Sequence, residues 1–127
     1  MRQLIILLVF FTTSIAYSQT TLSDAQVREA VNAFIATQSF PQQLDSATSL
    51  DAIEASIRGI IYIYTLNFNL NEMDSNLLSA QGPVLQNQYC SNAQLYWYRD
   101  NNASMSYIYY TNDGYVADIF KVSNSGC

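Results

Sequence analysis

The chain contains no histidine, and its 127 residues include only two cysteines, four glycines and two prolines. Without histidine, the ordinary serine–histidine type of hydrolase is excluded. No zinc-binding motif is present either, since the two cysteines, Cys90 and Cys127, stand alone and far apart. Their separation also rules out CxxC redox chemistry. We therefore expect no metal, no cofactor and no catalytic residue of these classes.

Basic residues are scarce. Five lysines and arginines face ten aspartates and glutamates, which gives a net charge of −5. Nucleic acids and anionic membrane surfaces are poor partners for such a chain, because phosphate binding needs clustered basic side chains. A protein partner, if charged, is expected to be basic. The acidity also fits a small domain that has to stay soluble.

Long apolar runs are absent except at the start, where Leu4–Phe11 follows Arg2 and precedes the small-x-small sequence Ser14-Ile15-Ala16. This layout predicts a signal peptide over residues 1–16, with a cut after Ser18 as the alternative. The run is shorter than the ~20 residues of a membrane span. We expect a single domain over residues 17–127, periplasmic or secreted, with no membrane insertion after cleavage. In an oxidising compartment the two cysteines predict one Cys90–Cys127 disulfide.

The pattern of the first half predicts a helix followed by strands. Ser23 and Gln26 have the spacing of a capping box, which starts a helix with an apolar stripe through Val27 and Val31. Residues 49–59 allow two interpretations: a short helix capped by Ser49, or the first strand of a hairpin that turns at Arg58-Gly59. The strongly β-prone run Ile60–Leu66 favours the hairpin, since that strand needs a neighbour.

The second half returns to helical spacing over residues 69–89, with Asn71 as the candidate cap and Met73, Leu77 and Leu78 on one side of the helix. It ends in a hairpin around Asn112-Asp113-Gly114. The predicted fold is α+β: an antiparallel sheet of about four strands in two hairpins, with helices on one face, in the order helix, hairpin, helix, hairpin, and one disulfide. Both hairpins contain a similar phrase, at residues 62–67 and 107–112. Because tyrosine, isoleucine and threonine are common in all strands, we do not interpret this as a duplication.

An ordered set of residues resembles a loose group of small exported bacterial α+β proteins that have two cysteines and no assigned function. The resemblance spans residues 40–127 and is carried by Phe40-Pro41, Asp45, Thr48, Leu50, Tyr62, Tyr64, Leu66, Tyr89-Cys90-Ser91, Tyr107, Tyr109, Gly114 and Cys127. It implies strands rather than a helix over residues 46–58. The chain departs from the pattern at Gly82-Pro83, where a continuous helix is usual, and at Tyr96-Trp97-Tyr98. No active site is implied.

Aromatic residues are concentrated near the first cysteine and in the second hairpin. They are explained either as core or as an exposed patch that binds a partner with large contact area. The candidate partner-binding residues are Tyr96, Trp97, Tyr98, Tyr107 and Tyr109. Three adjacent residues cannot all face inward, so at least one of the first three should meet solvent.

Three functions remain open. The main hypothesis is a non-enzymatic exported domain that binds a protein partner, of inhibitor or immunity type. The first alternative is an accessory or assembly factor of a bacterial envelope machine, to which an exposed strand edge could add. The second is a small carbohydrate-active enzyme using Asp100, Asp113 and Asp118.

Overall fold

The computed structural model describes residues 21–127; the predicted signal peptide and residues 17–20 lie outside the described residues. Short 3-10 turns accompany the main elements at Leu70–Glu72, Ala93–Leu95 and Asn124–Gly126. The helices and strands are α1 Asp24–Ile35, β1 Gln42–Gln43, β2 Thr48–Ser56, β3 Gly59–Leu66, α2 Ser75–Ser79, α3 Gln81–Ser91, α4 Tyr96–Asp100, β4 Ser104–Tyr110 and β5 Val116–Val122. Within this part of the chain, no helix combines the length and the apolar character needed to cross a membrane.

Helix α1 begins where the capping box predicts. The Ser23 side chain accepts a hydrogen bond from the Gln26 amide, and the Gln26 side chain accepts one from the Ser23 amide. Two of the amide groups that have no partner within the helix are thereby satisfied. The predicted stripe is confirmed as well, because Val27 and Val31 are fully buried against the sheet.

The sheet has five strands in the order β1-β2-β3-β4-β5, which corrects the expected four. The hairpin interpretation of residues 46–58 is confirmed: β2 pairs with β3 antiparallel, and β4 with β5. The additional strand is β1, a two-residue edge that pairs Gln42 with Leu50. At the centre, β3 and β4 run parallel, so the sheet is mixed rather than antiparallel. A parallel pair needs a long crossover, and residues 67–103 supply it with α2, α3 and α4.

The two similar phrases of the sequence lie side by side at this central pair. Tyr62 is level with Tyr107, Ile63 with Ile108, and Tyr64 with Tyr109. In a parallel pair, equivalent positions of two strands point to the same face. The repeated pattern therefore places like residues next to each other across the middle of the sheet.

The two faces of the sheet differ in cover. On the covered face, α1 and the crossover helices pack over a core that contains Ile53, Ile60, Met105, Tyr107 and Val122. The residues of the opposite face, here called the open face, alternate with the core residues along each strand and contribute nothing to that core. Strand pairing places on the open face Ala52, Glu54, Ile61, Ile63, Ser106, Ile108, Ile119 and Lys121.

The predicted disulfide is present. Cys90 at the end of α3 is bonded to Cys127, with the two Cα atoms 5.6 Å apart. Beside the bond, Gln86 Nε2 donates to the Ser123 carbonyl over 3.0 Å. Gly82-Pro83 opens α3 rather than breaking it, because proline is tolerated in a first helical turn. Gly82 also lets α3 approach Phe120 of β5 closely: a Cβ on Gly82 would lie 3.2 Å from that ring.

Candidate functional site

The five aromatic residues proposed from the sequence do not form one exposed surface. Tyr107 is buried in the core, and Trp97 and Tyr98 pack edge to face against each other, with ring centroids 5.0 Å apart, at the margin of the core. Tyr96 is 61% exposed, so one of the three consecutive aromatics does meet solvent. The reason is the short helix α4, whose successive residues point in different directions. Partner binding by this group stays a prediction.

Four tyrosines form a stacked cluster on the covered face. Tyr62 and Tyr107 lie with ring centroids 5.5 Å apart, and Tyr64 and Tyr109 with centroids 4.8 Å apart, both nearly parallel. These are the pairs that the parallel register places level with each other. Burial, with the neighbouring phenols, raises the pKa of Tyr64 and Tyr107 above the ordinary tyrosine value. The cluster therefore remains neutral in any physiological medium.

At one end of this cluster lies a cleft of about 620 Å³. Its floor is the end of the sheet, where Tyr64, Leu66 and Tyr109 lie on the helix side. The walls come from the β1–β2 connection and from residues 68–81. We call it the acidic cleft; it is lined by Leu44, Asp45, Ala47, Thr48, Tyr64, Leu66, Phe68, Glu72, Asp74, Leu77, Leu78, Gln81 and Tyr109.

The acidic cleft is apolar inside and acidic at its rim. Leu44 and Leu77, both part of the lining, are 52% and 70% exposed. Asp45, Glu72 and Asp74 are the charged residues of the lining, and no basic residue joins them. Apolar floors with a few convergent polar groups are typical of binding sites in proteins.

Each carboxylate of the rim also fixes the backbone that carries it. Asp74 Oδ1 accepts from the amides of Asn76 and Leu77 and so caps α2. Glu72 Oε1 accepts from the Asn69 amide over 2.8 Å, and Asp45 Oδ1 from the Ala47 amide over 2.7 Å. The sequence predicted Asn71 as a cap in this region; the cap of α2 is Asp74 instead.

The turn after β4 is hydrogen-bonded to the wall formed by residues 68–81. Asp113 Oδ1 accepts from the Thr111 hydroxyl over 2.6 Å and from the Leu70 amide over 3.1 Å. The Thr111 hydroxyl bond is the main reason that the pKa of Asp113 is lowered. Gly114 follows with φ of 90°, a conformation that glycine adopts without strain. This wall of the acidic cleft is therefore connected to the β4–β5 turn through the Leu70–Asp113 hydrogen bond.

The basic side chains near the core are engaged elsewhere. Arg58 Nη1 pairs with Asp24 over 2.7 Å, the sole ion pair found within residues 21–127. Arg99 Nη1 donates to the carbonyls of Tyr89 and Asn92. Neither residue neutralises the rim of the acidic cleft, so its three carboxylates present their charge to solvent.

The three carboxylates proposed for an enzyme do not form one cluster within residues 21–127. Asp100 precedes β4 and Asp113 follows it, so the two lie at opposite ends of the strand. Asp118 accepts from the amide of Ile119 at the outer strand β5 over 2.8 Å. This hydrogen bond occupies a backbone donor of the strand edge, which disfavours the addition of a partner strand there.

Sequence reasoning missed the acidic cleft as a site, although one signal pointed to it. Five of the positions that carry the resemblance line the cleft: Asp45, Thr48, Tyr64, Leu66 and Tyr109. Of the five proposed aromatics, only Tyr109 is among them. Leu77 and Leu78 looked like the buried side of a helix, but α2 is a single short segment at the rim.

The fold is a two-layer α+β domain with a mixed five-stranded sheet and one disulfide. No family model and no curated protein matches the sequence. Among solved structures, a candidate secreted protein from Pseudomonas aeruginosa has the same fold, with a TM-score of 0.71 at 13% identity over 85% of this chain and 98% of the other. A pilotin from the type 2 secretion system of Vibrio vulnificus, EpsS, gives a TM-score of 0.60 at 14% identity over 82% of this chain and 90% of the other.

Proposed function

We propose that this protein is an exported, non-enzymatic accessory factor of a bacterial envelope machine and that it binds a segment of a partner protein in the acidic cleft. The observation that carries the proposal is the cleft itself: Leu44 and Leu77 are exposed beside a floor that includes two tyrosine rings, inside an acidic rim. The likeness to a secretion-system pilotin supports the machine as the setting. The disulfide and the likeness to a candidate secreted protein support export, to the periplasm or beyond.

The chemistry of the lining defines the partner segment. It should present an apolar face to Leu66, Leu77 and Tyr109 and basic side chains to the rim. An amphipathic helix has both, and such helices commonly lie in apolar grooves. Strand addition, which the sequence offered as the mode of binding, is less favoured. β1 has only two residues, and the edge of β5 is partly blocked by Asp118.

Affinity capture from the native envelope tests the site. Leu77→Glu places a charge on the cleft wall, and Ile57→Glu is the matched control, because Ile57 is 71% exposed at the β2–β3 turn, outside the cleft. We expect Leu77→Glu to reduce partner recovery about tenfold or more, as loss of a central apolar contact does, and Ile57→Glu to leave it unchanged. Equal recovery by the two variants would contradict binding in the cleft.

The acidic rim is tested separately by removing charge without removing the caps. Asp45→Asn and Asp74→Asn keep a side-chain oxygen for the backbone amides, because asparagine caps about as well as aspartate. We expect the double variant to bind the same partner more weakly and with a shallower salt dependence. Glu29→Gln, on the solvent side of α1, is the control.

A different double variant addresses the enzyme alternative, which the three carboxylates of the acidic cleft keep open. A carboxylate-based glycosidase needs two of them to act on one bond. We expect no release of sugar from cell-wall or glycan substrates by the wild-type protein. Release that disappears in a Glu72→Gln, Asp74→Asn double variant would replace the accessory role with a hydrolytic one.

A further inference from the structure

A second surface lies on the other side of the sheet, away from the acidic cleft. The open face has no helix over it within residues 21–127, and its isoleucines lie outside the core. Ile119 is 57% exposed, and the neighbouring Val116 is 49% exposed. Antiparallel hairpins often leave one face to water, but such faces are then mainly polar. Here the middle of the face is apolar.

Strand pairing arranges the open face in rows that cross the sheet from β2 to β5. The apolar row contains Ala52, Ile63, Ile108 and Ile119. Beside it lies a row that begins with Glu54 on β2, passes Ile61 and Ser106, and ends with Lys121 on β5. Both Glu54 and Lys121 are exposed. A negative charge and a positive charge therefore stand at opposite ends of one row.

This arrangement is complementary to itself. Consider a second copy laid face to face on the first, related by a two-fold axis that runs along the strands. The axis exchanges the β2 side with the β5 side and keeps each row in place. Glu54 of each copy then meets Lys121 of the other. The apolar row of one copy lies against the apolar row of the other, in the opposite order across the sheet. An interface in which residue i contacts j and j contacts i is the isologous contact of a closed dimer.

We propose that the open face is the interface of a homodimer, with two Glu54–Lys121 ion pairs flanking a shared isoleucine centre. Two sheets that pack face to face cross at about 30° and interdigitate their side chains, which the alternation of isoleucine with alanine and serine permits. The remaining acid near the face, Asp51, is held by the hydroxyls of Ser49 and Thr65 at the β2 bulge. It therefore lies outside the two rows that form the contact.

The charges alone permit a decisive test by sedimentation of the purified, oxidised protein from micromolar to millimolar concentration. Wild type should show a concentration-dependent dimer. Glu54→Lys alone places lysine opposite lysine, and Lys121→Glu alone places glutamate opposite glutamate. Each should weaken dimerisation about tenfold or more, because like charges across an interface repel. An equimolar mixture of the two variants should restore dimers, since every contact then pairs opposite charges.

Restoration in the mixture cannot be produced by a folding defect, so it isolates the proposed contact. Arg28→Glu, an equal change of charge on α1, should leave dimerisation unchanged. Ile119→Asp should abolish it, whereas Ile57→Asp should not.

Three results would overturn the proposal: a wild-type monomer throughout the concentration range, a dimer that ignores both single variants, or a mixture that stays monomeric. Capture of a different protein by the open face of a monomer would overturn it as well. Because the acidic cleft lies on the covered side, failure of this proposal leaves the proposed function untouched, and the reverse also holds.

Discussion

Two buried tyrosines offer a controlled measurement of what one hydrogen bond contributes to this fold. Tyr89 on α3 is fully buried, and its hydroxyl donates to the Ala103 carbonyl over 2.6 Å. Tyr107 on β4 is 9% exposed, but its hydroxyl reaches only the Met105 sulfur, at 4.0 Å. Replacing either residue with phenylalanine removes one oxygen and leaves the ring in place. The two substitutions therefore differ chiefly in the bond that is lost.

We expect Tyr89→Phe to lower the free energy of unfolding by about 1–3 kcal/mol, because the Ala103 carbonyl loses a buried donor. Tyr107→Phe should lower it by less than about 0.5 kcal/mol, since a thioether is a weak acceptor. With a urea m-value of about 1–3 kcal/mol per molar for a small domain, the midpoint for Tyr89→Phe should fall by roughly 1 M.

The assay is urea unfolding followed by circular dichroism, with the disulfide intact in both variants. An unchanged m-value is required, because a changed slope would mean that the variant altered the unfolded state as well. Equal losses for the two variants would refute the reasoning, since they would show that the hydroxyl of Tyr89 contributes no more than that of Tyr107. A larger loss for Tyr107→Phe would refute the assignment of the bond to Ala103.

Two further predictions concern alkali and the disulfide. Burial raises the pKa of Tyr98 to about 12 and also raises the pKa of Tyr64 and Tyr107, whereas the pKa of an unfolded tyrosine is about 10. The stability that these tyrosines contribute is therefore complete below pH ~10 and is lost as the pH rises through their folded pKa values. Phenolate absorbance and the loss of circular dichroism should increase together, and complete ionisation at pH ~10 in a protein that stays folded would contradict this. Replacing Cys90 and Cys127 with alanine opens a bond that spans 37 residues in sequence and should cost about 4 kcal/mol in urea unfolding; a loss below about 1 kcal/mol would show that the bond adds little to the packing around Gln86.

The local elements of the fold were predictable because their signals are short-range. The Ser23–Gln26 capping box fixes the start of α1, and Asn112-Asp113-Gly114 fixes the second turn. Because the chain has only two cysteines, a disulfide could join only Cys90 and Cys127, and the structure contains this bond. These features depend on residues a few positions apart or on the rarity of one residue type.

The errors concern the pairing of the strands. β1 consists of two glutamines, which carry no strand signal, and only its pairing with Ser49 and Leu50 of β2 defines it. The parallel pairing of β3 with β4 has no signature in either strand, since the same β-branched and aromatic residues serve both orientations. Its one trace in the sequence was the similar phrase at residues 62–67 and 107–112, which composition alone also explains.

The candidate site was harder to predict because its lining comes from four separate parts of the chain, between Leu44 and Tyr109. No two of its carboxylates fall in a known motif, and each was explicable as a cap or turn residue. The number of aromatic residues favoured an aromatic binding patch instead. In the fold, Tyr62, Tyr64, Tyr107 and Tyr109 lie on the covered face, where their rings stack over the two central strands and pack with the core.

The central parallel pair has a consequence for how the molecule divides. Seven residue pairs between Gly59–Thr65 and Ser104–Tyr110 pair the first hairpin with the second. Everything before the crossover belongs to one half and everything after it to the other, so a cut within the crossover would sever no strand from its hairpin. Two separately produced fragments that associate along β3 and β4 would be held by tyrosine contacts on the covered face and by isoleucine contacts on the open face.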